Sequence, residues 1–98
     1  MNQLANVVGI DVSKASLAVC YQVEDKFQHT EVSNSKAGFQ QLVRRCGVAC
    51  CYVMEATGVY YLSLAYYLVE HGAQVAVLNP LDLLWFDFKH FTRILVKV

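Results

Sequence analysis

The chain has 98 residues, 56% of them hydrophobic and 16% charged, which is the composition of one small globular domain and excludes a disordered segment. Lysine and arginine number 8 together, as do aspartate and glutamate, and this zero net charge argues against a domain that binds nucleic acid by charge alone. The longest uncharged apolar stretch, residues 59–69, is shorter than the roughly 18 residues that span a bilayer, and no signal peptide is visible, so we expect a cytoplasmic protein without a membrane partner.

Three strands are predicted in the first third of the chain. Residues 7–12, VVGIDV, form an apolar run typical of a strand buried on both faces, in which Asp11 is the only charged residue. Residues 17–23 form a second strand after the turn SKAS. In residues 26–32, apolar side chains are interspersed with polar ones, which indicates an exposed edge strand. Because the connections between them are short, these three strands can form antiparallel hairpins.

A helix and a fourth strand follow. Asn34 or Ser35 can cap the helix, apolar residues recur at helical spacing after it, and Gly47 stands where a glycine ends a helix. Residues 50–54, CCYVM, predict a buried strand that runs directly into Glu55.

A second helix over about residues 59–71 leads to a last strand, residues 74–79, which Pro80 ends. Because strands four and five each follow a helical crossover, they should run parallel to strand one. The prediction is an α/β fold with a mixed sheet of strand order 3-2-1-4-5 and two helices, followed by a C-terminal helical tail.

Two sets of side chains are assigned to the core. The cysteines have no metal-site spacing and are interpreted as small buried hydrophobes rather than as metal ligands or disulfides: Cys20, Cys46, Cys50 and Cys51. The tyrosines of the second helix are predicted to pack in the core rather than to stack on bases: Tyr60, Tyr61, Tyr66 and Tyr67.

Two carboxylates are predicted to meet at one edge of the sheet. Asp11 lies near the carboxyl end of strand one and Glu55 directly after strand four, and parallel neighbours place these ends at the same edge. There the two acids should repel each other and lose hydration, and a divalent cation would relieve both effects. Since Mg²⁺ often takes only one or two protein carboxylates, Asp11 and Glu55 are candidate metal ligands and catalytic residues.

Each acid also has a structural interpretation. Asp11 could accept amide hydrogens of the SKAS turn, and Glu55 could cap the helix that follows it. The two acids taken together favour the functional interpretation over these alternatives.

Three motifs resemble the amino-terminal domain of the DEDD, RuvC-like transposases of the insertion-sequence one-ten family. They are GIDVSK at residues 9–14, MEATGVYYLSLAYYL at 54–68 and GAQVAVLNP at 72–80, and the resemblance runs from residue 7 to about 81. It implies an RNase H-like (RuvC-like) fold in which four acids bind divalent metal.

The resemblance places the first acid of the family on Asp11 and the second on Glu55. It implies Mg²⁺ or Mn²⁺ as cofactor, and metal-dependent cleavage and transfer of DNA strands in transposition as the activity. The implied partners are DNA, at the element's ends and target, and a guide RNA. Lys14, Ser13 and Thr57 lie beside the two acids and are candidate contacts to DNA, with roles in turns and caps as the alternative.

The sequence after Leu81, DLLWFDFKHFTRILVKV, does not resemble the family. Members of the family have their third and fourth acids in this region, followed by a separate carboxy-terminal domain. Asp82 and Asp87 are the only later acids, and their spacing is wrong. We therefore expect a partial RNase H-like domain at residues 1–80 and a divergent tail at residues 81–98, in a truncated or frameshifted copy. Such a chain should bind metal weakly and have little activity alone, and its apolar tail should drive self-association.

Two other classes of function stay open. Actin-like and sugar-kinase ATPases also begin with a strand, an aspartate, a turn and a strand, but their phosphate loop usually needs Gly or Thr beside the aspartate, and DVSKAS has no glycine. The second class is a non-catalytic interaction module or a relic without a function. Saturable binding of ATP would favour an ATPase. If no reading frame of the downstream DNA encodes the missing acids, a genuine short protein would be favoured.

Overall fold

The computed structural model describes residues 7–56 and 58–78. In chain order the elements are β1 (Val7–Val12), β2 (Ser16–Val23), β3 (Lys26–Ser33), α1 (Lys36–Cys46), β4 (Cys51–Glu55), α2 (Leu62–Glu70) and β5 (Gln74–Leu78). Several predicted features lie outside the described residues, namely Thr57, Asp82, Asp87, the domain boundary at residue 80 and the helical tail over residues 81–98.

The five strands form one sheet with the order β3-β2-β1-β4-β5. The pairs β1–β2 and β2–β3 are antiparallel, whereas β4 is parallel to both β1 and β5. The parallel pairs arise because α1 and α2 each return the chain to the edge where the previous strand began. This mixed sheet with two helices is the predicted RNase H-like α/β arrangement, and the predicted strand order is confirmed.

Both helices pack on one face of the sheet. Side chains at alternate positions of a strand share a face, so Val8 and Ile10 of β1 point toward the helices. The core on this face joins the central strands to both helices through fully or almost fully buried side chains: Val8, Ile10, Leu17, Val19, Val32, Phe39, Leu42, Tyr52, Met54, Leu64 and Leu68. Each such side chain contributes roughly 1.5–3 kcal/mol of hydrophobic stabilisation.

The opposite face has a second, smaller core. Val7 and Val53 are buried there, and three partly buried side chains pack against them: Cys51, Ala76 and Leu78. Strand alternation places Asp11 and Glu55 on this same face, at its end. The acids therefore lie on the side of the sheet away from α1 and α2.

Helix α1 begins and ends at the residues that the sequence predicts. Ser35 is the N-cap, with extended backbone, and its hydroxyl accepts a hydrogen bond from the Gly38 amide at 3.3 Å. Gly47 ends the helix with φ of 77°, and its N–H donates to the Val43 carbonyl at 2.7 Å. Glycine suits this position because a side chain disfavours positive φ.

Replacing Ser35 by alanine should lower the free energy of unfolding by about 1 kcal/mol, because one amide of the first helical turn loses its acceptor. Ser35→Asp should restore the cap and match or exceed the stability of the wild type, since the first turn of α1 holds no acidic residue. Urea unfolding followed by circular dichroism measures both changes. An alanine variant as stable as the wild type would show that the cap is unimportant.

Helix α2 begins later than predicted and is less buried. It starts at Leu62 rather than near residue 59, with Tyr61 at the N-cap and no side-chain cap bond. The prediction that all four tyrosines are core residues is wrong for Tyr60 and Tyr66, which are 46% and 67% exposed. Tyr61 and Tyr67 do pack against the core. Among the described residues, neither helix is long and apolar enough to cross a membrane.

Candidate functional site

The carboxyl ends of β1 and β4 bring two acids side by side. The last paired residues of these parallel strands are Ile10 and Met54, and Asp11 and Glu55 follow them directly. Neighbouring strands lie roughly 4.8 Å apart, and equivalent positions of parallel strands direct their side chains to the same face. Asp11 and Glu55 therefore occupy adjacent positions on one face of the sheet, at one edge.

The two acids differ in exposure. Asp11 is exposed and Glu55 is half-buried. The expectation that both lose their hydration is wrong for Asp11, which lies near the end of its strand beside the small side chain of Ala18 on β2. An exposed carboxylate next to a half-buried one offers oxygen ligands that a hydrated cation can reach.

Neither structural alternative for the acids is observed. The N-cap of α2 is Tyr61, six residues after Glu55, so Glu55 does not cap that helix. The turn between β1 and β2 is closed by Ser13, whose backbone N–H and hydroxyl both donate to the Ser16 carbonyl, at 2.9 and 3.0 Å. The turn thus has its own hydrogen bonds, made by residues other than Asp11.

The candidate DNA contacts beside Asp11 lie at the same edge of the sheet. Ser13 and Lys14 are both exposed in the turn that follows β1. The Ser13 hydroxyl is hydrogen-bonded within the turn, where its oxygen also lies 3.0 Å from the hydroxyl oxygen of Ser16. Lys14 presents a cation three residues after Asp11. Thr57, the third candidate, lies outside the described residues.

Asn34, predicted from the sequence only as a possible helix cap, makes side-chain contacts that its sequence context does not indicate. The Asn34 side-chain amide donates to the Ser13 carbonyl at 2.9 Å and to the Tyr60 carbonyl at 3.1 Å. These partners are 21 and 26 residues away along the chain. No local spacing signals such contacts, so only the folded arrangement reveals them.

The acid pair fits part of a magnesium site. In residues 7–56 and 58–78, no group of three or more histidine, cysteine, aspartate or glutamate side chains could hold a metal ion. Mg²⁺ nevertheless often binds through one or two carboxylates, with water and phosphate as its remaining ligands. Asp11 and Glu55 match that donor set, whereas a two-metal centre would need more acids.

Three of the cysteines, Cys46, Cys50 and Cys51, lie at the end of the sheet where β4 begins, away from this edge. Cys51 begins β4, the strand that Glu55 ends, and Cys50 donates from Sγ to the Cys46 carbonyl at 3.7 Å. Burial raises the pKa of the Cys46 thiol to about 11, and it also raises the pKa of the Cys50 thiol. Both thiols are therefore protonated at neutral pH, and the thiolate that binds metal or attacks an electrophile is scarce.

Comparison with known proteins finds one family and two relatives. The family model of the DEDD transposases of the IS110 type, described as "Transposase", matches residues 8–87. The pilin gene-inverting proteins of Moraxella bovis and Moraxella lacunata are each 28% identical to this chain over 80 residues, which cover 76% of the chain and 25% of each relative. The chain thus spans about a quarter of the length of these curated relatives. The family match continues six residues beyond residue 81, where the resemblance seen in the sequence ends.

Proposed function

Since this chain belongs to the family of IS110-type DEDD transposases, we propose that it is the amino-terminal part of a DNA recombinase whose metal ligands include Asp11 and Glu55. The activity of the parent protein is metal-dependent cleavage and transfer of DNA strands in transposition. The single observation that supports the site is the adjacency of the two acids at the ends of β1 and β4. Both acids fall within the residues that the family model matches.

Each side chain has a role in this proposal. A Mg²⁺ or Mn²⁺ ion held by the two acids would supply a Lewis acid to the phosphodiester. Asp11 and Glu55 provide two oxygen ligands, one open to solvent and one held at the end of a buried strand. Lys14 neutralises a DNA phosphate near the metal, while Ser13 and Thr57 contribute further contacts to the backbone of the DNA.

The names of the relatives support a substrate of this class. Both are described as inverting a pilin gene, which is a rearrangement of DNA. We extend this to the present chain as recombination of DNA in the cytoplasm, at the ends of an insertion element and at its target, with a guide RNA as a further partner. The division into a domain at residues 1–80 and a tail at residues 81–98 is part of the same proposal.

The 98 residues by themselves should cleave branched DNA no faster than background in Mg²⁺ or Mn²⁺. Four acids form the site in the family, and this proposal assigns two of them, Asp11 and Glu55, so the metal should bind weakly and the site should be incomplete. Gel assays with a labelled four-way junction measure the rate. Robust cleavage that Asp11→Ala abolishes would contradict this expectation.

Two titrations separate the proposed function from its alternatives. We expect Mn²⁺ to bind one site, with Mg²⁺ competing for it, when free Mn²⁺ is followed by electron paramagnetic resonance. Calorimetry with ATP should show no saturable binding, because the turn after Asp11 has no glycine that lets backbone amides approach a phosphate. Saturable ATP binding would favour an actin-like or sugar-kinase-like domain. If the chain binds neither Mn²⁺ nor ATP, the non-catalytic interaction module would be favoured.

Self-association belongs to the proposal as well. The tail that first suggested it lies outside the described residues, but α2 and the turn before it present an exposed apolar stripe at helical spacing: Val59, Leu62, Tyr66 and Val69. Such a surface is typical of an interface, and a second copy of the chain is the partner proposed here. A monomer in sedimentation velocity at high micromolar concentration would exclude it.

A further inference from the structure

We propose that Asn34 is a positioning residue that fixes the separation of the two chain segments leaving Asp11 and Glu55. It lies between the end of β3 at Ser33 and the N-cap of α1 at Ser35. The inference rests on the proposed function, because it assigns Asn34 to the same metal site. No ligand contact is assigned to Asn34 itself.

Asn34 is bonded to both segments at once. Its backbone N–H donates to the Ala15 carbonyl at 3.0 Å, in the turn that follows Asp11. Its side-chain Nδ2 donates to the Ser13 carbonyl at 2.9 Å in that same turn, and to the Tyr60 carbonyl at 3.1 Å in the segment between β4 and α2. One side chain thus joins the segment after the first acid to the segment after the second.

The chemistry of these bonds requires a primary amide. Both partners are carbonyl oxygens, which only accept, so the nitrogen and not the oxygen of the Asn34 amide must face them. The amide group has two N–H bonds, and each of the two carbonyls takes one. An aspartate of the same size has no donor when ionised, and serine or threonine has only one.

The position of this bridge relates it to the acids. The ladder between β1 and β4 ends at Ile10 and Met54, one residue before the acids. Beyond that point, in the described part of the chain, the segment after Asp11 and the segment after Glu55 are connected by the two hydrogen bonds that the Asn34 side chain donates. Because two ligands bind one cation well only at a fixed separation, loosening this bridge should weaken metal binding without removing a ligand.

The first test uses the wild-type chain without metal. Hydrogen exchange of side-chain amide protons, followed by NMR, compares Asn34 with Gln28, which is exposed on β3. We expect the Asn34 protons to exchange at least tenfold more slowly, since both are bonded to carbonyls. Equal exchange rates would show that the bridge does not form in solution and would overturn the inference, whether or not any variant folds.

The second test uses Asn34→Asp and Asn34→Ala, with Gln28→Glu as the matched change of an exposed amide to a carboxylate. Both Asn34 variants should raise the dissociation constant for Mn²⁺ roughly tenfold, the range typical for residues that orient metal ligands. The added charge of Asn34→Asp would by itself attract a cation, so weaker binding in that variant cannot be a charge effect. Gln28→Glu should leave the constant within twofold.

The outcomes separate the inference from the proposed function. If the wild type binds no Mn²⁺, the proposed metal site fails, while hydrogen exchange at Asn34 still decides whether the bridge exists. If the wild type binds Mn²⁺ and both Asn34 variants bind it equally well, the positioning role is wrong and the metal site stands. Backbone amide exchange at Val53, in the buried centre of β4, reports whether each variant keeps its fold.

Discussion

Replacing Gly38 by alanine should destabilise the domain by about 3 kcal/mol, at the upper end of the usual cost of overpacking. A Cβ atom at Gly38 would lie 1.8 Å from the carbonyl oxygen of Ser33 and 2.7 Å from its carbonyl carbon. Both are backbone atoms, so no change of rotamer can relieve the overlap. Alanine gains about 1 kcal/mol over glycine inside a helix, which is too little to offset a clash of this kind.

The neighbouring position supplies the control. Ala37 is exposed on the same turn of α1, so Ala37→Gly should cost only about 0.5–1 kcal/mol, through helix propensity. Urea unfolding followed by circular dichroism ranks the wild type, Ala37→Gly and Gly38→Ala. If Gly38→Ala is as stable as the wild type, then α1 does not approach the end of β3 as closely as the structure shows.

The close approach at Gly38 also bears on the site. Ser33 directly precedes Asn34, and the Ser33 hydroxyl is hydrogen-bonded to the Ser35 hydroxyl at 2.6 Å. A side chain at Gly38 would displace residues 33–35 and, with them, the Asn34 side-chain amide, which joins the segment after β1 to the segment after β4. We therefore expect any folded Gly38→Ala protein to bind Mn²⁺ more weakly than Ala37→Gly.

Replacing Asp11 by asparagine should weaken Mn²⁺ binding at least tenfold, which corresponds to about 1.4 kcal/mol. The change removes one of the two carboxylates at the edge of the sheet and keeps the size of the side chain. Glu55→Gln should have a similar effect for the same reason. Stability without metal should not fall in Asp11→Asn, because Asp11 is exposed and the change removes one of two neighbouring like charges.

Asp25→Asn is the matched control for this prediction. Asp25 is an exposed aspartate in the turn between β2 and β3, at the opposite end of the strands from Asp11. Its replacement makes the same change of charge, so it should alter the dissociation constant by less than twofold. Equal losses in Asp11→Asn and Asp25→Asn would mean that Mn²⁺ binds the protein surface without a specific site.

Much of the sheet could be predicted because its signals are local. The apolar run of β1, the glycine at position 47 and the crossover before β4 are each visible in a few residues, and together they favour β1 and β4 as parallel neighbours. The adjacency of Asp11 and Glu55 follows from that pairing. The predicted pairing of β1 with β4 therefore indicates where the two acids meet, although no single motif gives the distance between them.

The remaining features depend on the folded surface. Asp11 is exposed because its strand ends beside a small neighbour on β2, which the apolar run around it does not reveal. Tyr66 is exposed although it is aromatic, because apolar residues occupy more than one side of α2 and their pattern does not show which side faces the sheet. The bonds of Asn34 join segments that are far apart in the chain, and periodicity carries no information about them.

The most direct measurement of the shared metal site is paramagnetic broadening in the NMR spectrum of the isotope-labelled 98-residue chain. A substoichiometric amount of Mn²⁺ should selectively broaden the backbone amides of Val12 and Ala56, beside the two acids, and excess Mg²⁺ should restore them. The amides around Asp25 should stay sharp. Broadening centred on the turn at Asp25, with sharp signals at the ends of β1 and β4, would contradict the assignment of Asp11 and Glu55 as metal ligands.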